Sequence, residues 1–127
     1  MKIISVKTLR DFWAENPDAE QPLKAWVDEA TKADWKTPAE IKDQYRSASI
    51  LKNKRVVFNI KGNDYRLIVA VAYLRGWVFV KFIGSHKEYD EINHEYYFGL
   101  PLFISSYLNY LIYKNIYFKS ENLGFLC

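Results

Sequence analysis

Apolar residues recur at helical spacing in the first third of the chain. Residues 8–14 show this pattern and predict a short helix. After a break at Asn16 and Pro17, Asp18 can cap a second helix over residues 19–33. The apolar positions of this second helix fall on one stripe, which we expect to be buried: Leu23, Trp26, Val27 and Ala30.

A third helix is marked by its first residues rather than by its periodicity. Thr37 supplies a capping hydroxyl, Pro38 suits the first turn, and Glu40 stands at the third helical position. This arrangement predicts a helix to about Gln44, followed by a loop over residues 45–53.

The middle of the chain changes to short runs of β-branched and aromatic residues. They predict three strands, over residues 55–60, 65–72 and 77–83. The pair Gly62-Asn63 marks the first turn and the pair Arg75-Gly76 marks the second. The sequence therefore predicts an α+β fold, with N-terminal helices packed on a three-stranded, or slightly larger, antiparallel sheet.

Two-residue turns would also fix the register of this sheet. Asn59 would then face Arg66, Ala70 would face Lys81, and Arg66 would face Ser85. The face that holds Asn59, Arg66, Lys81 and Ser85 would be polar, with His86 at its edge. The opposite face would be the core, formed by Phe58, Leu67, Val69, Val71, Val80 and Phe82.

The charge of the chain is distributed unevenly. Its 127 residues are enough for one domain, and the formal net charge is only +3. Residues 46–87, however, carry nine basic side chains against one carboxylate, Asp64. Such a stretch attracts a polyanion, although a solvated, lysine-rich sheet face would have the same composition.

Several proton-transferring side chains follow the third predicted strand. Residues 84–90 read Gly-Ser-His-Lys-Glu-Tyr-Asp, which places histidine and tyrosine among cations. This string predicts a site that binds phosphates and is able to cut them. The only cysteine is Cys127, and no Cys/His spacing indicates zinc, so we expect neither a metal nor another cofactor.

The end of the chain is rich in uncharged, aromatic residues. Residues 96–113 contain no charge, which is at the lower edge of a membrane-spanning length. Serine, asparagine and tyrosine make this segment a poor lipid-facing helix, so an appendage is favoured over a membrane anchor. The N-terminus lacks the pattern of a secretory signal, and we expect a cytoplasmic protein.

Four parts of the chain, in their order and spacing, resemble the HigB toxins within the RelE-like ribonuclease toxins. They are residues 9–13, residues 33–36 with Pro38, residues 55–67 and residues 84–90. The resemblance covers residues 1–93 and leaves residues 94–127 as an atypical hydrophobic, aromatic extension. The family usually has threonine where this chain has Ser85, and both side chains carry a hydroxyl.

The resemblance implies a function and partners. It implies a toxin that cleaves mRNA, generally during translation on the ribosome. It also implies a HigA-type helix-turn-helix antitoxin, which would block the toxin and bring it to operator DNA.

Metal-free cleavage of RNA requires groups that transfer protons and a cation that binds the scissile phosphate. Several side chains in this sequence could supply them. We expect the catalytic residues to be His86, Tyr89, Arg66 and Lys81. We expect the RNA-binding residues to be Arg46, Lys52, Lys54, Asn59 and Lys87. Two other functions stay open: a non-catalytic RNA- or ribosome-binding module on the same basic face, and a membrane-active protein acting through residues 96–113.

Overall fold

The computed structural model describes residues 1–92, which form one mixed sheet and four α-helices. The strands are β1 (Lys2–Ile4), β2 (Ser49–Ile50), β3 (Arg55–Ile60), β4 (Tyr65–Ala72) and β5 (Trp77–Ser85). The helices are α1 (Val6–Glu15), α2 (Glu20–Lys32), α3 (Pro38–Gln44) and α4 (His86–Glu91), and a short 3-10 helix, Pro17–Ala19, precedes α2. The predicted α+β fold is confirmed.

The sheet is larger than the three predicted strands. Its order is β1-β5-β4-β3-β2, and every pair is antiparallel except β1 and β5, which run parallel. The two additional strands, β1 and β2, are three and two residues long. Segments this short carry too little alternation for the sequence pattern to reveal a strand.

Helix starts follow the sequence in one case and depart from it in another. Thr37 caps α3, and its hydroxyl accepts a hydrogen bond from the backbone N–H of Glu40. Asp18 does not cap α2, so that prediction is wrong. Its carboxylate instead accepts a hydrogen bond of 2.6 Å from the hydroxyl of Tyr65, on β4.

The core lies between one face of the sheet and the first three helices. Phe58 on β3 is its aromatic centre, with ring contacts to Trp26 at 5.3 Å, Tyr45 at 5.0 Å and Trp35 at 6.1 Å. The buried helical residues in this core are Leu9, Leu23, Trp26, Ala30 and Ile41. The other side of the sheet, called the second face here, therefore presents the alternate residues of β3, β4 and β5.

The predicted pairing of β3 with β4 is confirmed, since Asn59 faces Arg66. The predicted pairing of β4 with β5 is wrong. The turn comprises four residues, 73–76, so Ala72 faces Trp77. It is closed by hydrogen bonds from the backbone N–H groups of Arg75 and Gly76 to the carbonyl of Ala72.

A bulge between Ile68 and Val69 changes the register again: Ile68 pairs with Phe82 and Val69 pairs with Val80, so Lys81 lies between two paired positions. Phe82 therefore faces Ile68 on the second face instead of joining the predicted core. Arg66 faces Gly84 rather than Ser85. Lys81 stays on the second face, with its Nζ 5.9 Å from the ring centre of Phe79.

Within residues 1–92, no helix is long and apolar enough to cross a bilayer. The segment 96–113, for which a membrane role was considered, lies outside the described residues.

Candidate active site at the end of β5

The helix α4 begins directly where β5 ends, and a capping box fixes that junction. The hydroxyl of Ser85 accepts a hydrogen bond of 3.0 Å from the backbone N–H of Glu88. In return, the Glu88 carboxylate accepts one of 2.9 Å from the backbone N–H of Ser85. Threonine, which resembles serine in its hydroxyl, can cap a helix in the same way.

Gly84 leaves the space that this junction needs. A Cβ atom at this position would lie 2.5 Å from Cζ of Phe82 and 2.7 Å from the carboxylate of Glu88. Both distances are shorter than van der Waals contact. A side chain at position 84 would therefore push against the capping carboxylate and displace the start of α4.

His86 is the first residue of α4 and is held by its backbone. Its N–H donates a hydrogen bond of 2.9 Å to the carbonyl of Asp64, in the turn between β3 and β4. One turn along the helix, the Asp90 carboxylate lies 3.4 Å from Nε2 of His86. The imidazole is 45% exposed, so it is accessible to a substrate.

Arg66 is positioned by the same turn. Its Nη1 donates a hydrogen bond of 3.1 Å to the carbonyl of Asn63, and its Nη2 donates one of 3.0 Å to the side-chain oxygen of Asn63. The guanidinium carbon lies 5.8 Å from the ring centre of Tyr89. The two candidate catalytic residues from β4 and α4 are thus in contact.

Tyr89 shares one side of α4 with His86, as its spacing of three residues requires. Burial raises the pKa of the Tyr89 hydroxyl, and the nearby Asp90 acts in the same direction, whereas Arg66 opposes the shift. The hydroxyl therefore keeps its proton at neutral pH, which suits a proton donor better than a base.

The side chain that orients Arg66 was not predicted from the sequence. Asn59 faces Arg66 across the strands, but its side-chain amide donates to the carbonyl of Ser47 at 3.5 Å. Asn63 makes the contacts with Arg66 instead. Only its place in the turn, three residues before an arginine, marked it in the sequence.

The remaining predicted residues divide between the two ends of the sheet. Lys87, exposed on α4, and Arg46, next to Ser47, lie at the end that holds Arg66. Lys52 and Lys54 lie in the turn before β3, and the carbonyl of Lys54 accepts a hydrogen bond from Val71, near the far end of β4. The structure therefore separates these two lysines from His86 and Tyr89.

Metal ligation is not supported by the described part of the chain. Residues 1–92 contain no group of three or more histidine, cysteine, aspartate or glutamate side chains that could hold an ion. The arrangement offers instead a guanidinium for a phosphate and two side chains for protons.

The amino-acid sequence of this chain matches the model of a known family. Residues 19–92 match the model of the HigB toxins, described as the RelE-like toxic component of a toxin-antitoxin system. The chain belongs to this family. The match includes β3, β4, β5 and α4, and the resemblance inferred from the sequence is confirmed.

Relatives within the family have names that state an activity. A protein of Escherichia coli K12 named mRNA interferase toxin HigB is 29% identical over 92 residues, which are 71% of this chain and 88% of that protein. The mRNA interferase HigB of Escherichia coli O6:H1 is 28% identical over 98 residues, or 76% of this chain and 95% of that protein. Shigella flexneri has an mRNA interferase HigB with the same 29% identity over 92 residues.

Proposed function

We propose that this chain is the mRNA-cleaving toxin of a toxin-antitoxin pair. The observation that carries the proposal is the convergence of Arg66, His86 and Tyr89 where β5 meets α4. Relatives named mRNA interferases support the same reaction for a chain with this architecture. The predicted endoribonuclease activity agrees with these names.

The reaction starts at the ribose 2′-hydroxyl. His86 takes its proton, and the resulting imidazolium is stabilised by Asp90. The 2′-oxygen then attacks the neighbouring phosphorus, so that a bond from the 2′-oxygen to phosphorus forms and the bond from phosphorus to the 5′-oxygen breaks. Tyr89 donates its proton to the departing 5′-oxygen. The products are a 2′,3′-cyclic phosphate and a 5′-hydroxyl, and the required 2′-hydroxyl restricts cleavage to RNA.

The phosphate is bound by cations on the same side of the sheet. Arg66 can present two N–H groups to two phosphate oxygens, since its planar guanidinium matches that geometry. Lys81, from the bulge on the second face, adds charge as the phosphorane develops. Lys87 and Arg46 lie at the same end and bind flanking phosphates. Asn59 holds the segment beside Arg46 in place through its hydrogen bond to the carbonyl of Ser47. Side chains supply every proton and charge in this scheme, so it requires no metal.

The partners follow from the family. We propose that a HigA-type helix-turn-helix antitoxin neutralises the chain, which reaches operator DNA only through that antitoxin. The toxin acts in the cytoplasm on mRNA bound to the ribosome. The description of the family as the toxic component of a toxin-antitoxin system supports an antitoxin partner.

The test is cleavage of mRNA by the purified chain, with and without translating ribosomes and with EDTA, followed by mapping of new 5′ ends. His86→Ala and Tyr89→Phe should each slow cleavage roughly 10²–10⁴-fold, while RNA binding changes little. Arg66→Glu should reduce both binding and cleavage. Tyr73→Phe, in the turn at the other end of β4, and Arg10→Glu, on α1, serve as controls. A folded wild-type chain that binds RNA or ribosomes without cutting would establish the binding module instead. Loss of ribosome-free cleavage with EDTA would contradict the metal-free scheme.

A further inference from the structure

A second group of cations lies at the end of the sheet away from His86. The hydrogen bond from Val71 to Lys54, 2.9 Å long, places the turn before β3 beside the end of β4. One residue after Val71, β4 ends and the turn with Arg75 begins. Lys52, Lys54 and Arg75 therefore project from two adjacent turns at one end of the sheet, and all three are exposed.

These cations are not neutralised by nearby carboxylates of the sheet. Between Asp43 and Glu88 the sequence contains one acidic residue, Asp64. Asp64 lies at the other end of β4 and pairs with Lys61 at 2.9 Å. Within residues 1–92, Lys52, Lys54 and Arg75 form no ion pair, so their charge is available to a polyanion.

An aromatic ring accompanies this charge. The guanidinium of Arg75 lies 5.0 Å from the ring centre of Trp77, the first residue of β5. The same turn exposes Leu74 completely. Cations beside an aromatic ring fit single-stranded RNA, because the phosphates bind the cations and an unstacked base stacks on the ring or the guanidinium.

The distance along the sheet decides which part of the RNA reaches this group. Arg66 and Ala72 are both on β4, and six steps of a strand span about 20 Å. An RNA strand whose scissile phosphate binds at Arg66 would therefore reach the far turns with nucleotides several positions from the cut.

We propose that Lys52, Lys54, Arg75 and Trp77 form an RNA-binding patch for a single-stranded segment distant from the cut. The lysines bind phosphates, and the Arg75–Trp77 pair stacks with a base. The patch extends the proposed function, because it would hold RNA whose cleavage takes place at His86. RNA is favoured over a protein partner because three cations without an ion pair within residues 1–92 dominate this end of the sheet, beside two exposed large hydrophobic side chains, Leu74 and Ile50.

The experiment measures binding in a protein that cannot cut. In a His86→Ala background, fluorescence anisotropy follows a labelled twelve-nucleotide RNA at several salt concentrations. Replacing Lys52, Lys54 and Arg75 by alanine should weaken binding and reduce the slope of log affinity against log salt by about 2. Trp77→Leu should weaken binding roughly 5- to 150-fold.

The matched control removes three lysines from the helical side, with Lys7, Lys24 and Lys32 replaced by alanine. These lysines pair with Asp11, Glu20 and Asp28 on their own helices, so their loss should leave RNA binding unchanged. Thermal unfolding of every variant verifies that it is folded.

The remaining results would overturn the patch, its stacking pair or the proposed function. Wild-type affinity and salt slope in the triple variant would overturn it, and so would equal losses in the helical control. Loss of antitoxin binding with intact RNA binding would make the surface a protein-docking site. If the triple alanine variant binds RNA more weakly but Trp77→Leu does not, no base stacks on the Trp77 ring. RNA binding that depends on the patch in a chain without cleavage activity would instead overturn the proposed function and leave the patch in place.

Discussion

Arg66 and Asn63 form a bidentate contact, in which the guanidinium donates one hydrogen bond to the Asn63 backbone carbonyl and one to its side-chain oxygen. This contact fixes the guanidinium beside the Tyr89 ring before any phosphate is bound. Pre-ordering a long side chain lowers the entropic cost of binding a ligand.

Asn63→Ala should therefore reduce cleavage through Arg66. Loss of one hydrogen bond to a charged group costs about 1.5–3 kcal/mol, which corresponds to roughly a 10- to 150-fold fall in kcat/KM. Asn63 has no positive φ, so alanine introduces no backbone strain. In an Arg66→Ala background the same substitution should have no further effect. Equal, additive losses in both backgrounds would show that Asn63 supports the turn rather than Arg66.

The ionisation of Tyr89 predicts an alkaline limit to the reaction. Because burial raises the pKa of its hydroxyl above the ordinary value near 10, the donor stays protonated well into alkaline solution. The rate of the chemical step should fall only as pH passes that raised value. Single-turnover rates between pH 7 and 11 measure this limit, and Tyr89→Phe should abolish it. If Tyr89→Phe shows the same fall in rate at high pH, another group donates the proton.

The junction of β5 with α4 predicts a graded series of variants. Ser85→Ala removes a helix cap, which costs about 1 kcal/mol, and Ser85→Thr should restore it. Gly84→Ala should be more harmful to cleavage than to binding, because the added carbon crowds Phe82 and the Glu88 carboxylate. Urea unfolding and kcat are the measurements. Wild-type kcat in Gly84→Ala would show that the start of α4 tolerates displacement.

The hydrogen bond between Tyr65 and Asp18 predicts a dependence of stability on pH. It raises the pKa of Tyr65 to about 12 and, as the largest cause, lowers the pKa of Asp18. Folded Tyr65 holds its proton where the unfolded chain loses it, so stability should fall as pH rises from about 10 to about 12. Folded Asp18 stays ionised where the unfolded carboxyl becomes protonated, so stability should also fall below about 3.8.

Tyr65→Phe keeps the ring and its edge contact with Phe12 but removes the hydroxyl. We expect a loss of about 1 kcal/mol at pH 7 in urea unfolding. The difference from wild type should shrink at both pH extremes. A constant difference in the free energy of unfolding across pH 3 to 11 would show that the Tyr65 hydroxyl does not cause these changes in stability.

The location of the core predicts the result of truncation. Within residues 1–92, the buried cluster is formed by residues of the sheet, the 3-10 helix, the helices α1–α3 and the segments beside α3. A chain that lacks residues 97–127 should therefore unfold cooperatively and be more soluble. Loss of a cooperative transition would show that the extension completes the domain, in conflict with the proposed division into residues 1–93 and 94–127.

The sequence was sufficient where local chemistry decides the structure. Gly62 adopts a positive φ of 66° in the turn after β3, and the strands on either side pair as predicted. The turn after β4 includes Tyr73 and Leu74, whose character is that of a strand, so its true length was not visible. The bulge at Lys81 depends on packing between strands, which a linear pattern does not contain.

The same limit applies to the site. His86, Tyr89 and Arg66 became candidates because their side chains have functional chemistry and occur near a strand end. Asn63 was missed because its role is a contact with Arg66 in three dimensions. Lys52 and Lys54 were grouped with the others by charge, although the hydrogen bond between Lys54 and Val71 places them at the far end.

The parallel pairing of β1 with β5 has a consequence for the order of folding. Lys2 pairs with Trp77, so the first strand to be synthesised must wait for the last strand before it finds its partner. Closing so long a loop is entropically costly, and it is slow in comparison with forming the helices between them. His86 and Tyr89 follow β5 along the chain. A nascent chain therefore lacks the junction that positions His86 and Tyr89 until nearly the whole described domain has been made.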